Sequence, residues 1–355
     1  MKADDAKTRL NRRSRLFAAA AVLLTAIGVA PMKSQVDPDL SRLQKIKGST
    51  TGGAVLDTGE PGSFDAAWVT CPTVLWDGRR YRMWYSSLYD SKMGRGGIGL
   101  ATSADGLNWV RENGGKPVLE IGPPGSFDDG QILAPATQFD GQVYRMWYTG
   151  MSVNWHSSGL GFYRIGLVTS RDGVHWTREN NGQPVLDIGS AGSYDEVQAA
   201  TPSILRQGGS YRMWYAAWAP KSGHTICVAQ SQDGIHWRRE NNGKPVGGLS
   251  PAGAYGPAVH REGNQYFLLY MATGETYRGL YGAVSSDGLS WRMLGEGPLI
   301  PRGVRPDFDE SLAGHPCLLR VQDRLRVWYT GYRREAGGVL GWKLRIGLAE
   351  FGVKP

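Results

Sequence analysis

The pentapeptide YRMWY stands at residues 81–85, again at 144–148 and again at 211–215. Its tryptophans, Trp84, Trp147 and Trp214, lie 63 and 67 residues apart. Other markers keep nearly the same step. The pattern S-x-D-G-x-x-W starts at Ser103, Ser170, Ser231 and Ser285. An aromatic–aspartate pair with a proline seven positions after the aspartate occurs as Phe64-Asp65 with Pro72, Phe127-Asp128 with Pro135, Tyr194-Asp195 with Pro202, and Phe308-Asp309 with Pro316. Self-similarity at a fixed period decides an architecture before local propensities do.

One repeat shows what is built. In the second, QILAPATQF is followed by a D-G turn, QVYRMWYTG, a long irregular stretch, YRIGLVTS, a second D-G turn and VHWTRE. Short runs rich in Val, Ile, Tyr, Trp and Thr between D-G turns read as a four-stranded antiparallel meander. No segment after residue 50 keeps a helical period. The expected fold is therefore all-β, a five-bladed β-propeller of four-stranded antiparallel blades beginning near Asp65, Asp128, Asp195, Tyr255 and Asp309. The fourth repeat is degenerate, with YFLLY from Tyr266, and the fifth lacks its S-x-D-G-x-x-W strand. Something else must close the ring. AVLDTG from Ala54 copies PVLEIG from Pro117 and PVLDIG from Pro184, so the N-terminal segment is expected to complete the contacts of the last blade.

The chain has 355 residues, 41% of them hydrophobic, with 50 glycines that suit many tight turns. The repeats run from about residue 59 to 350 without a linker, which argues for one domain at 51–355. Residues 1–30 differ: Lys7, Arg9, Arg12, Arg13 and Arg15 precede an apolar run from Leu16 to Ala30, the pattern of an export signal or N-terminal anchor. Residues 31–50 read as a polar linker. The expected location is exported, with a membrane tether through the N-terminal segment as an alternative to cleavage. Half of the net charge of +8 belongs to residues 1–30, and no basic run lies within the repeats, so nucleic acid is not an expected partner. Three cysteines, Cys71, Cys227 and Cys317, have no metal spacing and read as buried thiols or as a Cys71–Cys317 bridge plus one thiol. No cofactor or metal is expected, and the chain is expected to be a monomer.

Repetition also sorts candidate site residues, because departures from a repeat mark where a site has been built. In a propeller, loops leading into the innermost strand and loops joining the second and third strands meet on one face. The first set carries Asp65, Asp128, Asp195 and Asp309, whose recurrence suggests capping of loop N–H groups. The next position reads Ala66, Asp129, Glu196 and Glu310, so a second acid is present in three repeats and varies. Non-equivalent acids near one axis can divide into general acid and base. The catalytic candidates are Asp129, Glu196 and Glu310, with Asp65 and Asp128. The second set of loops carries aromatics and histidines, among them Tyr89, Trp155, His156, Phe162, Trp218, His224, Tyr277, Tyr332 and Trp342. Ring faces beside hydroxyl-binding groups suit an oligosaccharide or polysaccharide. Trp155, His156, Trp218 and Tyr332, with His260 and His315, are the substrate-binding candidates. G-x-S-x-G, H-E-x-x-H and P-loop motifs are missing from the sequence.

Taken together, the YRMWYTG and RIGLVTSRDGVHW repeats and the aromatic–aspartate-to-proline strands resemble the five-bladed propeller superfamily of arabinanases, levansucrases, invertases and mannoside phosphorylases. The resemblance covers residues 54–350. It implies hydrolysis or transfer of a glycosidic bond by carboxylates from the inner strands, often placed directly before a proline. In this chain those positions are Cys71, Ala134, Thr201, Gly256 and His315, none of them acidic. The implied acids are then the upstream set, Asp65, Asp128, Asp129, Glu196 and Glu310. The alternative is a glycan-binding or scaffold propeller without catalysis. Arg302 and Arg305, beside Asp309, are candidates for an anionic group or phosphate.

Overall fold

The computed structural model describes residues 38–88, 96–153, 163–274, 279–339 and 341–353. The export or anchor segment expected at 1–30, and Trp155 and His156 among the site candidates, lie outside the described residues. Among the described residues the chain is all-β, with short 3-10 turns and no α-helix.

Among the described residues the strands form five antiparallel sets of four, with one further short strand, Ile300–Pro301, paired to Gly279–Ser285. Unit 1 comprises Thr70–Trp76, Tyr81–Leu88, Gly96–Ser103 and Val110–Arg111. Unit 2 comprises Gln131–Phe139, Tyr144–Met151, Tyr163–Ser170 and Thr177–Arg178. Unit 3 comprises Gln198–Gln207, Ser210–Ala219, Gly223–Ser231 and Arg238–Arg239. Unit 4 comprises Ala254–Glu262, Gln265–Ala272, Gly279–Ser285 and Arg292–Met293. Unit 5 takes Leu312–Val321, Arg324–Val339 and Trp342–Val353, and its outer strand is Pro38–Ile46. In strand pairing, units 2 and 3 are joined by a single parallel bridge, Gln198 with Tyr163.

The stretch expected as a linker, 31–50, contains the strand Pro38–Ile46. Residues 38–46 pair antiparallel with the C-terminal strand and supply what the fifth repeat lacks. Lys45 and Ile46 pair with Ala349 and Leu348 there, which gives an otherwise bare strand edge a partner. The AVLDTG copy acts as expected: Leu56 bridges to Ile346 as Leu119 does to Ile98 and Leu186 to Ile165.

The repeated pentapeptide is scaffold. Trp84, Trp147, Trp214 and their equivalent Trp328 are fully buried, as are Tyr85, Tyr148, Tyr215 and Tyr329. Each tryptophan uses its one polar atom to reach the S-x-D-G turn of the next unit. Trp84 Nε1 donates to Gly173 O, Trp147 to Gly234 O and Trp214 to Gly288 O, each at 2.9 Å. Within each turn the aspartate accepts two backbone N–H groups, so Asp105 takes those of Leu107 and Asn108 at 2.8 and 2.9 Å.

All three cysteines are free thiols. A Cys71–Cys317 bridge is therefore not formed. Cys317 Sγ instead accepts the backbone N–H of Val74 at 3.2 Å.

Candidate functional site

Every inner strand breaks its register at the same place, before its proline. The shifts fall at Thr70/Thr73, Leu133/Ala136, Ala200/Ser203, Tyr255/Ala258 and Gly314/Cys317. The residue ahead of each proline has positive φ: Cys71 50°, Ala134 50°, Thr201 45°, Gly256 59° and His315 45°. For a β-branched threonine this backbone is costly, and it persists only where the surroundings fix it. The freed N–H groups are taken by the preceding unit. Ala134 N–H donates to Ser86 Oγ at 2.8 Å, Thr201 to Thr149 Oγ1 at 2.8 Å, His315 to Met271 Sδ at 3.1 Å, and Cys71 to Thr330 Oγ1 of unit 5 at 3.0 Å. These five bulges converge on one cavity of about 40 Å³, lined by the five residues and their prolines. It is the waist of an axial channel.

Above the waist, six rings follow one another across units 3 to 5. Trp218 lies 6.4 Å from His224, His224 5.0 Å from Tyr255, Tyr255 5.9 Å from His315, His315 6.4 Å from Tyr332, and Tyr332 6.3 Å from Trp342. All six are half-buried. The arc continues to unit 1, where Trp68 Nε1 donates to Trp342 O at 3.2 Å. Three sequence candidates, Trp218, His315 and Tyr332, are therefore brought together. Tyr255, at the centre of the arc, was missed. Its signal was available: the degenerate fourth repeat places an aromatic directly before Gly256-Pro257, where the other repeats have Thr70, Leu133, Ala200 and Gly314.

The waist and arc are uncharged at neutral pH. Burial pulls the His315 imidazole down to about 4 and also lowers His224, so both rings are neutral. Burial pushes the Cys71 thiol up to about 11, which keeps it protonated. His224 Nδ1, Gln198 Nε2 and Thr201 Oγ1 are buried without a hydrogen-bond partner among the described residues. Unmet donors and acceptors beside ring faces are what a polyhydroxylated ligand can satisfy.

The acids are arranged differently from expectation. Asp65 is fully buried and accepts Tyr85 OH at 2.9 Å, Arg111 Nε at 2.7 Å and Ser63 Oγ at 2.9 Å. Asp128 repeats this with Tyr148, Arg178 and Ser126, and Asp195 with Tyr215, Arg239 and Ser193. Asp309 takes Tyr329 OH at 2.9 Å and Lys45 Nζ at 2.6 Å. Unit 4 supplies the control: it has no aspartate here, Met293 stands where the arginine would be, and Tyr270 OH points to Met293 Sδ at 2.9 Å. Aspartate and arginine are lost together, as members of one structural triad are. The oxygens of Asp65 and Asp128, two of the catalytic candidates, face partners inside the fold.

The loop-capping role falls instead to the variable acids. Asp129 Oδ2 accepts the N–H of Gly125 at 2.8 Å and Oδ1 that of Val153 at 2.7 Å. Against the upward pull of burial, these N–H groups hold its carboxyl below the usual range. Glu196 Oε2 likewise accepts the N–H of Gly192. Glu310 departs from both. Its Oε2 is buried without a hydrogen-bond partner, with Arg333 Nε 3.9 Å away, and its neighbour Ser311 donates to Tyr332 O in the arc at 3.0 Å. Arg333 belongs to an alternating network, with Glu335 Oε1 3.4 Å from its Nε and Arg345 bridging Glu335 to Asp57 at 2.7 and 2.6 Å. His260 lies past the bulge on the far half of its strand and pairs with Glu262 at 3.2 Å, because the strand carries it away from the arc. Arg302 and Arg305 are exposed in the loop leading into unit 5. Among the described residues no group of three His, Cys, Asp or Glu is placed to hold a metal ion.

No protein-family model matches the chain. It is 30% identical over 228 residues to the "uncharacterized proteins" MT1551 and Rv1502 of two Mycobacterium tuberculosis strains, spanning 61% of this chain and 72% of those proteins. It is 28% identical over 188 residues to the A type blood N-acetyl-alpha-D-galactosamine deacetylase of Flavonifractor plautii, covering 24% of that protein. The crystal structure of that N-acetylgalactosamine deacetylase with blood group B trisaccharide superposes with a TM-score of 0.59 at 16% identity, over 87% of this chain and 94% of that one. A glycoside hydrolase superposes with a TM-score of 0.66 at 18% identity, over 86% of this chain and 92% of that one. The likeness to both structures is one of fold.

Proposed function

We propose a function for a chain that belongs to the family of the mycobacterial proteins MT1551 and Rv1502: it is a carbohydrate-active enzyme that takes an oligosaccharide against the arc from Trp218 to Trp342. The observation that carries this reading is the arc itself, six half-buried rings above a waist with unmet polar atoms. Sugar C–H faces stack on such rings, and hydroxyls pair with neutral imidazole and amide groups. In the same reading the five units are the blades of a closed five-bladed propeller, and residues 1–30 export or anchor the chain. Glu310 is the acid left for chemistry at a glycosidic bond, because Asp129 and Glu196 are engaged with loop N–H groups.

The test is a screen of purified protein against arabinans, fructans, mannans and aryl glycosides, followed by Trp218→Ala and Glu310→Gln. Loss of binding in the first variant and of turnover in the second is expected. Unchanged binding and turnover in both would refute the site. A second reading, glycan binding without turnover, is favoured by the waist residues Cys71, Ala134, Thr201, Gly256 and His315, which place no carboxylate where the superfamily usually has one. Saturable binding by calorimetry with no product after long incubation would select it.

A further inference from the structure

A second, larger hollow lies away from the arc. It has a volume of about 610 Å³ and is formed by the loop leading into unit 3 and that unit's outer strand and turn. This is within the range of small-ligand clefts, roughly 300–1,000 Å³. Its walls include Tyr194 and Trp237, both half-buried, and Arg238 and Lys244, both exposed. The same loop touches the segment after Trp218. Lys221 Nζ sits 4.7 Å from the Tyr194 ring centre and donates to the carbonyl of Gly192, while Val197 N–H donates to Trp218 O at 3.2 Å. The loop that lines the hollow therefore also borders the segment after Trp218, one end of the arc.

The repeat shows what is particular to unit 3. Val110 and Thr177 stand in units 1 and 2 where Arg238 stands here, and Arg292 in unit 4; Lys116 in unit 1 and Gln183 in unit 2 stand where Lys244 stands; and Phe64, Phe127 and Phe308 stand where Tyr194 stands, so unit 3 alone combines the two cations with a tyrosine. The packing that these residues flank is unchanged, since Arg239 holds Asp195 as Arg178 holds Asp128. Unit 3 thus brings an arginine, a lysine and a phenol together at positions outside the Asp195–Arg239 packing. Arg239 is matched by Asp195, and Lys221 lies beside the loop that Glu196 caps. Arg238 and Lys244 make no salt bridge among the described residues. Two unmatched cations beside two aromatic rings fit a sugar that bears an anion.

We propose that this hollow is an accessory subsite for an acidic sugar residue, carboxylated or sulfated, of a glycan that extends outward from the arc. The inference rests on the carbohydrate reading of the arc, and its test separates the two. Binding is measured on an array of uronate-bearing, sulfated and neutral oligosaccharides in low salt, for the full chain and for Arg238→Thr with Lys244→Gln. These substitutions install the residues of unit 2 at exposed positions. The native protein should favour acidic over neutral members about tenfold, with the preference fading as salt rises. The double variant should lose that preference and keep its binding of neutral members, whereas Trp218→Ala should weaken both. Acid preference that is absent, or that survives the double substitution, overturns the accessory subsite. Acid binding lost in the double variant but untouched by Trp218→Ala would retain the subsite and reject the arc. The uronate and sulfate members of the array tell the two sources of anion apart.

Discussion

Trp328 Nε1 donates to the carbonyl of Gly106 at 3.0 Å, so the tryptophan of unit 5 makes toward unit 1 the contact that each earlier tryptophan makes toward its successor. The exception explains itself. Unit 4 has Leu269 at this position, and the unit that follows it is the one without an S-x-D-G-x-x-W turn. The donor is missing where its acceptor is missing. Repetition in this chain thus records contacts between units, which is why the departures from it are informative.

Closure through residues 38–46 gives the first expectation. Lys45 reaches the buried Asp309 from the strand that replaces the absent outer strand, in the role that Arg111, Arg178 and Arg239 play elsewhere. Lys45→Ala leaves Asp309 with Tyr329 as its hydrogen-bonding side chain. Because Lys45 is itself 31% exposed, the cost should fall below that of a fully buried pair, at about 1–3 kcal/mol. Urea unfolding measures it. A variant as stable as the native chain would show that the strand closes the ring without this ion pair.

Much of this is legible in the sequence alone. The 63- and 67-residue steps gave the strand sets, and the AVLDTG copy gave the bridge at Leu56. The strand at 38–46 was not legible, because it carries none of the repeat's aromatic or D-G markers and is defined by its partner, the strand Trp342–Val353. The roles of the acids were legible only in outline. Recurrence points Asp65, Asp128, Asp195 and Asp309 toward holding their loops, although Asp65 and Asp128 also stand among the catalytic candidates; their partners are a tyrosine 20 residues later and a cation from a distant strand. Such pairings have no local signature. Tyr255 escaped notice because it sits in the unit where the repeat fails.

The triad of unit 3 yields a coupling measurement. Asp195→Ala leaves Tyr215 and Arg239 without their shared acceptor in a buried setting, and should cost about 3–5 kcal/mol. Arg239→Met copies the residue that unit 4 uses. If the two act as one structural element, the double variant should be less damaged than the sum of the singles, by about 1–3 kcal/mol in a double-mutant cycle. Additive effects would mean that the joint loss in unit 4 has another cause.

The neutral imidazole at the waist sets a pH dependence. His315 titrates near 4 in the fold, below the ordinary histidine value of about 6.5. Between these values the unfolded chain binds the proton and the folded one does not, so stability must rise with pH across that window and fall as the pH drops from about 6.5 toward 4. His224, also lowered by burial, adds in the same direction. Melting temperatures at pH 4.5 and 7 should differ more for the native chain than for His315→Gln. Equal differences in the two proteins would assign the acid lability to other groups.

Glu196 and Glu310 occupy equivalent positions and should behave oppositely. Glu196 Oε2 accepts a loop N–H from Gly192, and Glu196→Gln weakens a charge-assisted bond to a neutral one. A loss of about 0.5–1.5 kcal/mol in stability is expected, with binding of neutral glycans unchanged. Glu310 has a buried oxygen with no hydrogen bond made, near an arginine that has Glu335 as a closer partner. Glu310→Gln breaks no hydrogen bond of Oε2 and gives up a 3.9 Å ion pair with Arg333, so melting should hold nearly unchanged while turnover is lost. If Glu310→Gln instead lowers the melting temperature and leaves turnover intact, Glu310 belongs to the scaffold with Glu196, and the chemistry of the arc must be sought among its imidazoles.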